Sequence, residues 1–162
     1  MKLAIIVLED EPPVRDAIAR DLQEFSGEVR VEPAEDVPDA RELIDEILAD
    51  GDVVALLLAD HRLPGETGVD FLVSTMDDDR MASARRVLIT GQADHADTIR
   101  AINVGGLDHY IAKPWDPGEL HDVVREQLTN YVLDQGINPL PYLPNLEMDR
   151  AITAMRSFSL TD

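Results

Sequence analysis

Cysteine is absent from the 162 residues of this chain, and cations are scarce. Only 14 Lys and Arg side chains oppose 33 Asp and Glu side chains, so the formal net charge is −19. The lack of cysteine excludes disulfides, thiolate zinc sites and cysteine nucleophiles. The negative charge repels phosphate backbones and anionic lipids, so we expect no direct binding to nucleic acid or membrane.

Long apolar runs are also missing. The first run, Leu3–Leu8, directly follows Met1-Lys2, is too short to span a membrane and has no cleavage-site pattern after it. It predicts a first strand rather than a signal peptide, and we expect a cytoplasmic protein. A chain of 162 residues with 44% hydrophobic residues suits one domain with an extension.

What the sequence does contain is a series of short apolar runs. Leu3–Leu8, Val53–Ala59 and Val87–Thr90 do not alternate, which is typical of central strands in a parallel sheet. Val29–Glu32 and His109–Ile111 are weaker strand candidates. Apolar residues at helical spacing separate them in five stretches: Val14–Phe25, Val37–Leu48, Val69–Met76, Ile99–Val104 and Leu120–Val132. This alternation predicts an α/β doubly wound, flavodoxin-like domain with a five-stranded parallel sheet of order 2-1-3-4-5 and helices on both faces.

The alternation of strands and helices stops after Gly136, and prolines follow at Pro139, Pro141 and Pro144. We therefore predict a domain over residues 1–135 and an extension over 136–162 with a short helix from Leu146 to Phe158. The first part carries a net charge of −18 and the second −1. The extension has three candidate roles: packing on its own domain, pairing with a second copy, or starting a linker to an output domain.

Ionisable side chains stand just beyond the carboxyl ends of the predicted strands, where open parallel sheets bind ligands. Glu9–Glu11 follow the first strand, Asp60 the third and Lys113 the fifth, while Thr90 ends the fourth. Clustered carboxylates repel one another unless a cation joins them, and ligand sets made only of oxygen favour Mg²⁺. One carboxylate could then attack phosphorus, with Thr90 and Lys113 available to bind phosphoryl oxygens.

Four motifs give the chain a resemblance to a known family. They are Leu8-Glu9-Asp10-Glu11-Pro12, Leu56–Pro64 with Gly68 eight residues after Asp60, Leu88-Ile89-Thr90-Gly91, and Tyr110-Ile111-Ala112-Lys113-Pro114-Trp115. In this order and at these spacings they resemble the receiver domains of two-component response regulators, the CheY-like family. The resemblance covers roughly residues 2–133.

The resemblance implies a phosphoacceptor and a Mg²⁺ site. Asp60 matches the phosphoacceptor and Asp10 the direct metal ligand. Glu9 matches the acidic partner that acts through water, although Asp is common at this position. The backbone carbonyl of Arg62 matches the third protein ligand of the metal.

The resemblance also implies a switch. Thr90 matches the hydroxyl that moves toward the phosphoryl group, and Lys113 matches the lysine that pairs with it. Tyr110 matches the aromatic residue whose rotamer follows Thr90. The Lys113–Pro114 bond is often cis in this family. His61, beside the predicted phosphoacceptor, is expected to be an exposed loop residue.

The implied function is a phosphoacceptor receiver in a two-component or phosphorelay pathway. A histidine kinase or phosphotransfer protein would phosphorylate Asp60, and a downstream protein or fused output domain would respond, with a homodimer possible. Such a receiver promotes only its own phosphorylation and dephosphorylation. One alternative is a Mg²⁺-dependent phosphohydrolase with Asp10 as nucleophile, although Pro12 occupies the position of its general acid. Another is a receiver-like binding module that is never phosphorylated.

Overall fold

The architecture is a parallel sheet with helices on both faces. The computed structural model describes residues 1–91, 95–103 and 106–161. The strands are β1 (Leu3–Leu8), β2 (Val29–Ala34), β3 (Val53–Ala59), β4 (Arg85–Thr90) and β5 (His109–Ala112). The helices are α1 (Pro12–Asp21), α2 (Val37–Ala49), α3 (Gly68–Met76), α4 (His95–Asn103), α5 (Pro117–Asp134) and α6 (Met148–Thr161), and short 3₁₀ helices cover Gln23–Phe25 and Leu140–Asn145.

The sheet has the order β2-β1-β3-β4-β5 with every pair parallel, which confirms the predicted fold class. The apolar strands are buried on both faces, as their lack of alternation predicts. In the register, Leu8 pairs with Ala59. Glu9 and Asp60, the next residue of each strand, therefore leave the sheet side by side.

Strand β4 begins at Arg85, two residues before the predicted start at Val87. The sequence did not predict these first two residues as strand because both are arginines, and arginine is rarely buried. Arg86 is nevertheless only 2% exposed. Its guanidinium donates to the hydroxyl of Thr75 at 3.0 Å and to the carbonyl of Met81 at 2.8 Å, so neutral oxygens satisfy it.

The predicted stripe from Val14 to Phe25 is divided in the structure. Helix α1 ends at Asp21, and Phe25 lies in the following 3₁₀ helix, where it is still buried against the same core. The fourth helix is described as far as Asn103, and Val104, the last residue of the predicted stretch, lies outside the described residues.

The extension packs on the body of the domain through polar and apolar contacts. The hydroxyl of Tyr142 donates to the carbonyl of Met1 at 2.9 Å, and Arg150 donates to Asn130 of α5 at 2.7 Å. Helix α6 begins at Met148, so the predicted start at Leu146 was wrong. Leu146 is instead buried in the core just before the helix.

None of the helices in the described part of the chain is both long enough and apolar enough to cross a membrane.

Candidate functional site

A cavity of about 470 Å³ opens at the carboxyl ends of the strands. It is lined by Glu11, Val14, Asp60, Arg62, Thr90, Gly91, Lys113, Pro114 and Trp115. Its floor is polar and buried, since Asp60 is 5% exposed and Thr90 is 1% exposed. The strand ends thus converge on one site, as the sequence predicts.

Backbone contacts fix Asp60 at the floor. Its N–H donates to the carbonyl of Leu8 at 2.9 Å, which continues the β1–β3 pairing into the loop. The N–H of Gly68 donates to the carbonyl of His61 at 2.9 Å. A Cβ at Gly68 would lie 1.9 Å from the carbonyl oxygen of Asp60, so only glycine lets α3 start this close to the site.

Three carboxylates meet beside the cavity. One oxygen each from Glu9, Asp10 and Asp60 lies within 4.8 Å of the other two. Glu9 and Asp60 are buried, whereas Asp10 faces solvent. The Oδ1 atom of Asp60 is buried and makes no hydrogen bond within the described residues, so it is available to a ligand.

Lys113 enters this cluster from the end of β5. Its Nζ lies 2.8 Å from Oε2 of Glu9 and 3.3 Å from Oδ2 of Asp60. Glu9 therefore pairs directly with the lysine, and its extra methylene gives it that reach. The Lys113–Pro114 peptide bond is cis, in agreement with the expectation.

Burial and incomplete pairing control the electrostatics of this cluster. Burial, together with the charge of Asp60, raises the pKa of Glu9 to about 7, although Lys113 opposes the shift. Burial works to lower the pKa of Lys113, but the hydrogen bond to Glu9 and the charge of Asp60 outweigh it, so the pKa of Lys113 is raised. If all three carboxylates ionise, three negative charges oppose one positive charge.

A divalent cation fits this arrangement. The donor set consists of oxygen atoms, and the Asp60 Oδ1 atom lacks a hydrogen bond within the described residues. With all three carboxylates ionised, Lys113 leaves two negative charges uncompensated. These properties match the preference of Mg²⁺ for one or two carboxylates with water and phosphate oxygens.

The two predicted switch residues contact each other through the backbone. Thr90 lines the cavity, and the hydroxyl of Tyr110 donates to the carbonyl oxygen of Thr90 at 2.9 Å. Tyr110 is half-buried against the core on the α3 side of the sheet. A hydrogen bond thus connects the aromatic ring to the residue at the cavity floor.

Arg62 and His61 follow Asp60 in the loop but differ in exposure. Arg62 is exposed and lines the cavity, which is compatible with its predicted position at the metal site. His61 is only 8% exposed, so the expectation of an exposed loop histidine was wrong. Gly68 packs closely against the backbone of Asp60 and His61 in this loop.

Two contacts beside the site were not predicted from the sequence, although Trp115 itself belongs to the motif that ends β5. Arg15 of α1 donates to the carbonyl oxygen of Glu9 at 2.9 Å and so holds the loop after β1. Trp115 lines the cavity and donates from Nε1 to Oδ2 of Asp21 at 2.8 Å. Neither contact is visible in the spacing of the motifs, because both connect separate elements.

Comparison with protein-family models and curated proteins gives one consistent result. A model described as the response regulator receiver domain matches residues 5–125. The hydrogenase transcriptional regulatory protein HoxA of Cupriavidus necator is 33% identical over 155 residues, which are 96% of this chain and 29% of HoxA. The phosphate regulon transcriptional regulatory protein PhoB of Escherichia coli is 32% identical over 120 residues, 74% of this chain and 49% of PhoB. The chain spans less than half of either relative.

Solved structures show the same fold. A CheY-like response regulator receiver domain from Methanospirillum hungatei superimposes with a TM-score of 0.70 at 23% identity, covering 83% of this chain and 99% of that one. The receiver domain of an HD domain-containing protein from Pseudomonas fluorescens gives a TM-score of 0.71 at 23% identity, covering 83% and 92%.

Proposed function

The chain belongs to the response regulator receiver family, and we propose that it is a phosphoacceptor that takes a phosphoryl group from a phosphohistidine onto Asp60. The observation that carries this proposal is the setting of Asp60. Its carboxylate lies at the floor of an open cavity, has one oxygen without a hydrogen bond in the described part of the chain, and contacts Lys113 through the other.

Asp60 and two residues beside it have different roles in the proposed phosphoryl transfer. Asp60 acts as the nucleophile toward phosphorus, and Lys113 compensates negative charge on the phosphoryl oxygens. Thr90, at the same floor, would bind a phosphoryl oxygen through its hydroxyl. Because Lys113 is paired with Glu9 before transfer, its Nζ must shift its hydrogen bonding toward the new phosphoryl group.

The residues that would hold Mg²⁺ are Asp10, Asp60 and the Arg62 carbonyl, with Glu9 acting through water. When bound, the ion would compensate the charge of the transferring group. Glu9 would add negative charge to this Mg²⁺ site, since its carboxylate is buried directly beside Asp60.

The switch in this proposal runs through Tyr110. When Thr90 moves toward the phosphoryl group, the hydrogen bond between its carbonyl and the Tyr110 hydroxyl must change, which releases or reorients the ring. A downstream protein or output domain would read this change. The relatives named as transcriptional regulators support an output in gene regulation, while the charge of −19 leaves this segment unsuited to contact DNA itself.

The proposal places the chain in the cytoplasm, with a histidine kinase or phosphotransfer protein as donor and no multiple turnover on a soluble metabolite. A second copy is a further proposed partner. Its test is the solution mass measured with and without a beryllofluoride phosphoryl mimic.

The central test is phosphorylation of Asp60 by acetyl phosphate in the presence of Mg²⁺, followed by intact-protein mass. We expect the wild type to gain one phosphoryl group and Asp60→Asn to gain none. Asp122→Asn, which changes an exposed carboxylate on α5, is the matched control and should be labelled like the wild type. An unlabelled wild type would contradict the proposal and favour a binding module.

A second readout separates the receiver from a phosphohydrolase. Trp115 is the only tryptophan and lines the cavity, so its emission should change when beryllofluoride binds with Mg²⁺. Asp60→Asn should lose this response. Sustained release of phosphate from phosphate esters, many equivalents per protein and dependent on Asp10, would support the enzyme instead.

A further inference from the structure

The outer half of the cavity differs from its floor in chemistry. The floor consists of buried polar groups, Asp60 and Thr90, whereas Val14, Pro114 and Trp115 contribute apolar surface nearer the mouth. Val14 and Trp115 are half-buried and Pro114 is exposed. The motifs that carry the phosphoacceptor chemistry do not require an apolar wall at this position.

The indole of Trp115 is held in a defined orientation. Its Nε1 donates to Oδ2 of Asp21 at 2.8 Å, and the ring packs against the apolar core beneath α1 and α5. The backbone of Asp21 is itself held by α5, because His121 hydrogen-bonds to its carbonyl oxygen. A ring fixed at its polar edge and packed on the core can present a stable surface to the cavity.

In-line transfer to Asp60 would direct the leaving group away from the buried floor, toward the more exposed apolar lining. In an in-line displacement the leaving atom lies opposite the attacking oxygen, so a donor that reacts with Asp60 has its leaving group in the outer half of the cavity. With a phosphoimidazole, the P–N bond breaks and its electron pair goes to the ring nitrogen, while a P–O bond forms to Asp60. When the other ring nitrogen already carries a proton, the ring departs as neutral imidazole.

We propose that Trp115, positioned by Asp21, contacts this flat leaving ring and makes the site prefer phosphoramidate donors with an aromatic ring over acyl phosphates. The inference deepens the proposed function and rests on phosphorylation of Asp60. An acyl phosphate such as acetyl phosphate uses the same floor but carries no ring, so it gains little from the indole.

The test compares two small donors on the same protein. Rate constants for phosphorylation by phosphoimidazole and by acetyl phosphate are measured with Mg²⁺ below saturation, by intact-protein mass, and expressed as a ratio. We expect Trp115→Ala to lower this ratio about 3- to 10-fold, the range of a single aromatic contact. Trp115→Phe keeps a ring but loses the Nε1 donor, so its ratio should fall between those of the wild type and Trp115→Ala.

Asp21 supplies the matched pair of variants. Asp21→Ala removes the acceptor and should lower the ratio toward that of Trp115→Phe. Asp21→Asn keeps an oxygen that can accept the hydrogen bond, so it should restore the ratio. Urea unfolding of each variant establishes that the rates belong to folded protein.

The outcomes distinguish this inference from the proposed function. A ratio that Trp115→Ala leaves unchanged, whether both rates fall equally or neither falls, would overturn the inference and leave Trp115 as a structural wall. Failure of both donors to label wild-type Asp60 would instead overturn the proposed function itself.

Discussion

At the edge of the sheet where the strands begin, Arg30 contacts Glu32, Asp50 and Asp52 at N–O distances of 3.1, 2.9 and 3.0 Å. At the opposite edge, where the strands end, one cation lies beside a group of three carboxylates and contacts two of them. There Lys113 contacts Glu9 and Asp60, with Asp10 beside them. Each cluster therefore has one basic and three acidic side chains, and the two have the same formal charge.

Their pKa values shift in opposite directions. At the first edge, a hydrogen bond from the Lys2 N–H and the contact with Arg30 hold the pKa of Asp52 below its ordinary value. At the second edge, burial raises the pKa of Glu9 to about 7. The direction of the pKa shift therefore depends on access to water and on the number of hydrogen-bond donors, and not on the number of charges in the cluster. A cluster that keeps its carboxylates buried and underpaired retains an affinity for a cation.

The largest expected contrast follows removal of each cation. Lys113→Met leaves Glu9 and Asp60 buried without a counter-charge, so we expect a loss of about 3 kcal/mol of unfolding free energy at pH 8 in metal-free buffer. Arg30→Met leaves acids that keep access to water, with Asp50 exposed and Glu32 and Asp52 half-buried, and should cost less than half as much. Urea unfolding of both variants measures the difference.

Unfolding measured at low pH is the control for Lys113→Met and Arg30→Met. At pH 4, where Glu9 is protonated in the folded protein, the cost of Lys113→Met should shrink markedly. Equal losses for the two variants at pH 8 would contradict the distinction between the clusters.

Glu9→Gln tests the raised pKa directly. A carboxyl group whose folded pKa of about 7 exceeds its unfolded value of 4.5 prefers the proton, so its ionisation destabilises the fold as pH rises from about 4.5 to about 7. We expect Glu9→Gln to be more stable than the wild type above pH 7 by about 1–2 kcal/mol, and to match it below pH 4.5. Urea unfolding in EDTA across this pH range measures the difference in unfolding free energy between Glu9→Gln and the wild type. A difference that does not change with pH would contradict the prediction.

The sequence predicts the fold and the gathering of the site for a definite physical reason. Residues after parallel strands emerge at one edge of the sheet, so the positions of Glu9, Asp60 and Lys113 next to apolar runs fix their proximity. The roles assigned to Asp60, Thr90, Tyr110 and the Arg62 carbonyl stay predictions, which the experiments above test.

Contacts between separate elements escaped prediction. The direct pairing of Glu9 with Lys113 depends on side-chain length and joins residues far apart in the chain, and the burial of His61 is set by the tertiary packing of its loop. The buried Arg86 violates the expectation that arginine lies outside, because neutral oxygens from its surroundings satisfy it. Such details depend on distances that periodicity and composition do not encode.

Magnesium should stabilise only one of the two clusters. At a concentration ten times its dissociation constant, the ion adds about 1.4 kcal/mol to the unfolding free energy of the wild type. Asp10→Asn removes a predicted ligand and should lose most of this gain. Asp50→Asn changes an exposed acid of the Arg30 cluster and should keep it. Thermal unfolding with and without Mg²⁺ compares the three proteins, and a full response in Asp10→Asn would remove Asp10 from the site.

Asp52→Asn is expected to change the stability least. It should lower the unfolding free energy at neutral pH, whereas Glu9→Gln should raise it. A carboxylate with a lowered folded pKa stabilises the fold above its unfolded value of 3.8, and this contribution is lost as pH falls below 3.8 through the lower folded pKa. Asp52→Asn should therefore be slightly less stable than the wild type at pH 7 and equal to it in acid, with a difference that added salt reduces. Denaturation of Asp52→Asn beside Glu9→Gln, in one metal-free buffer series, gives two curves that diverge from the wild type in opposite directions as pH rises. If both curves lie on the same side, burial does not separate the two edges of the sheet.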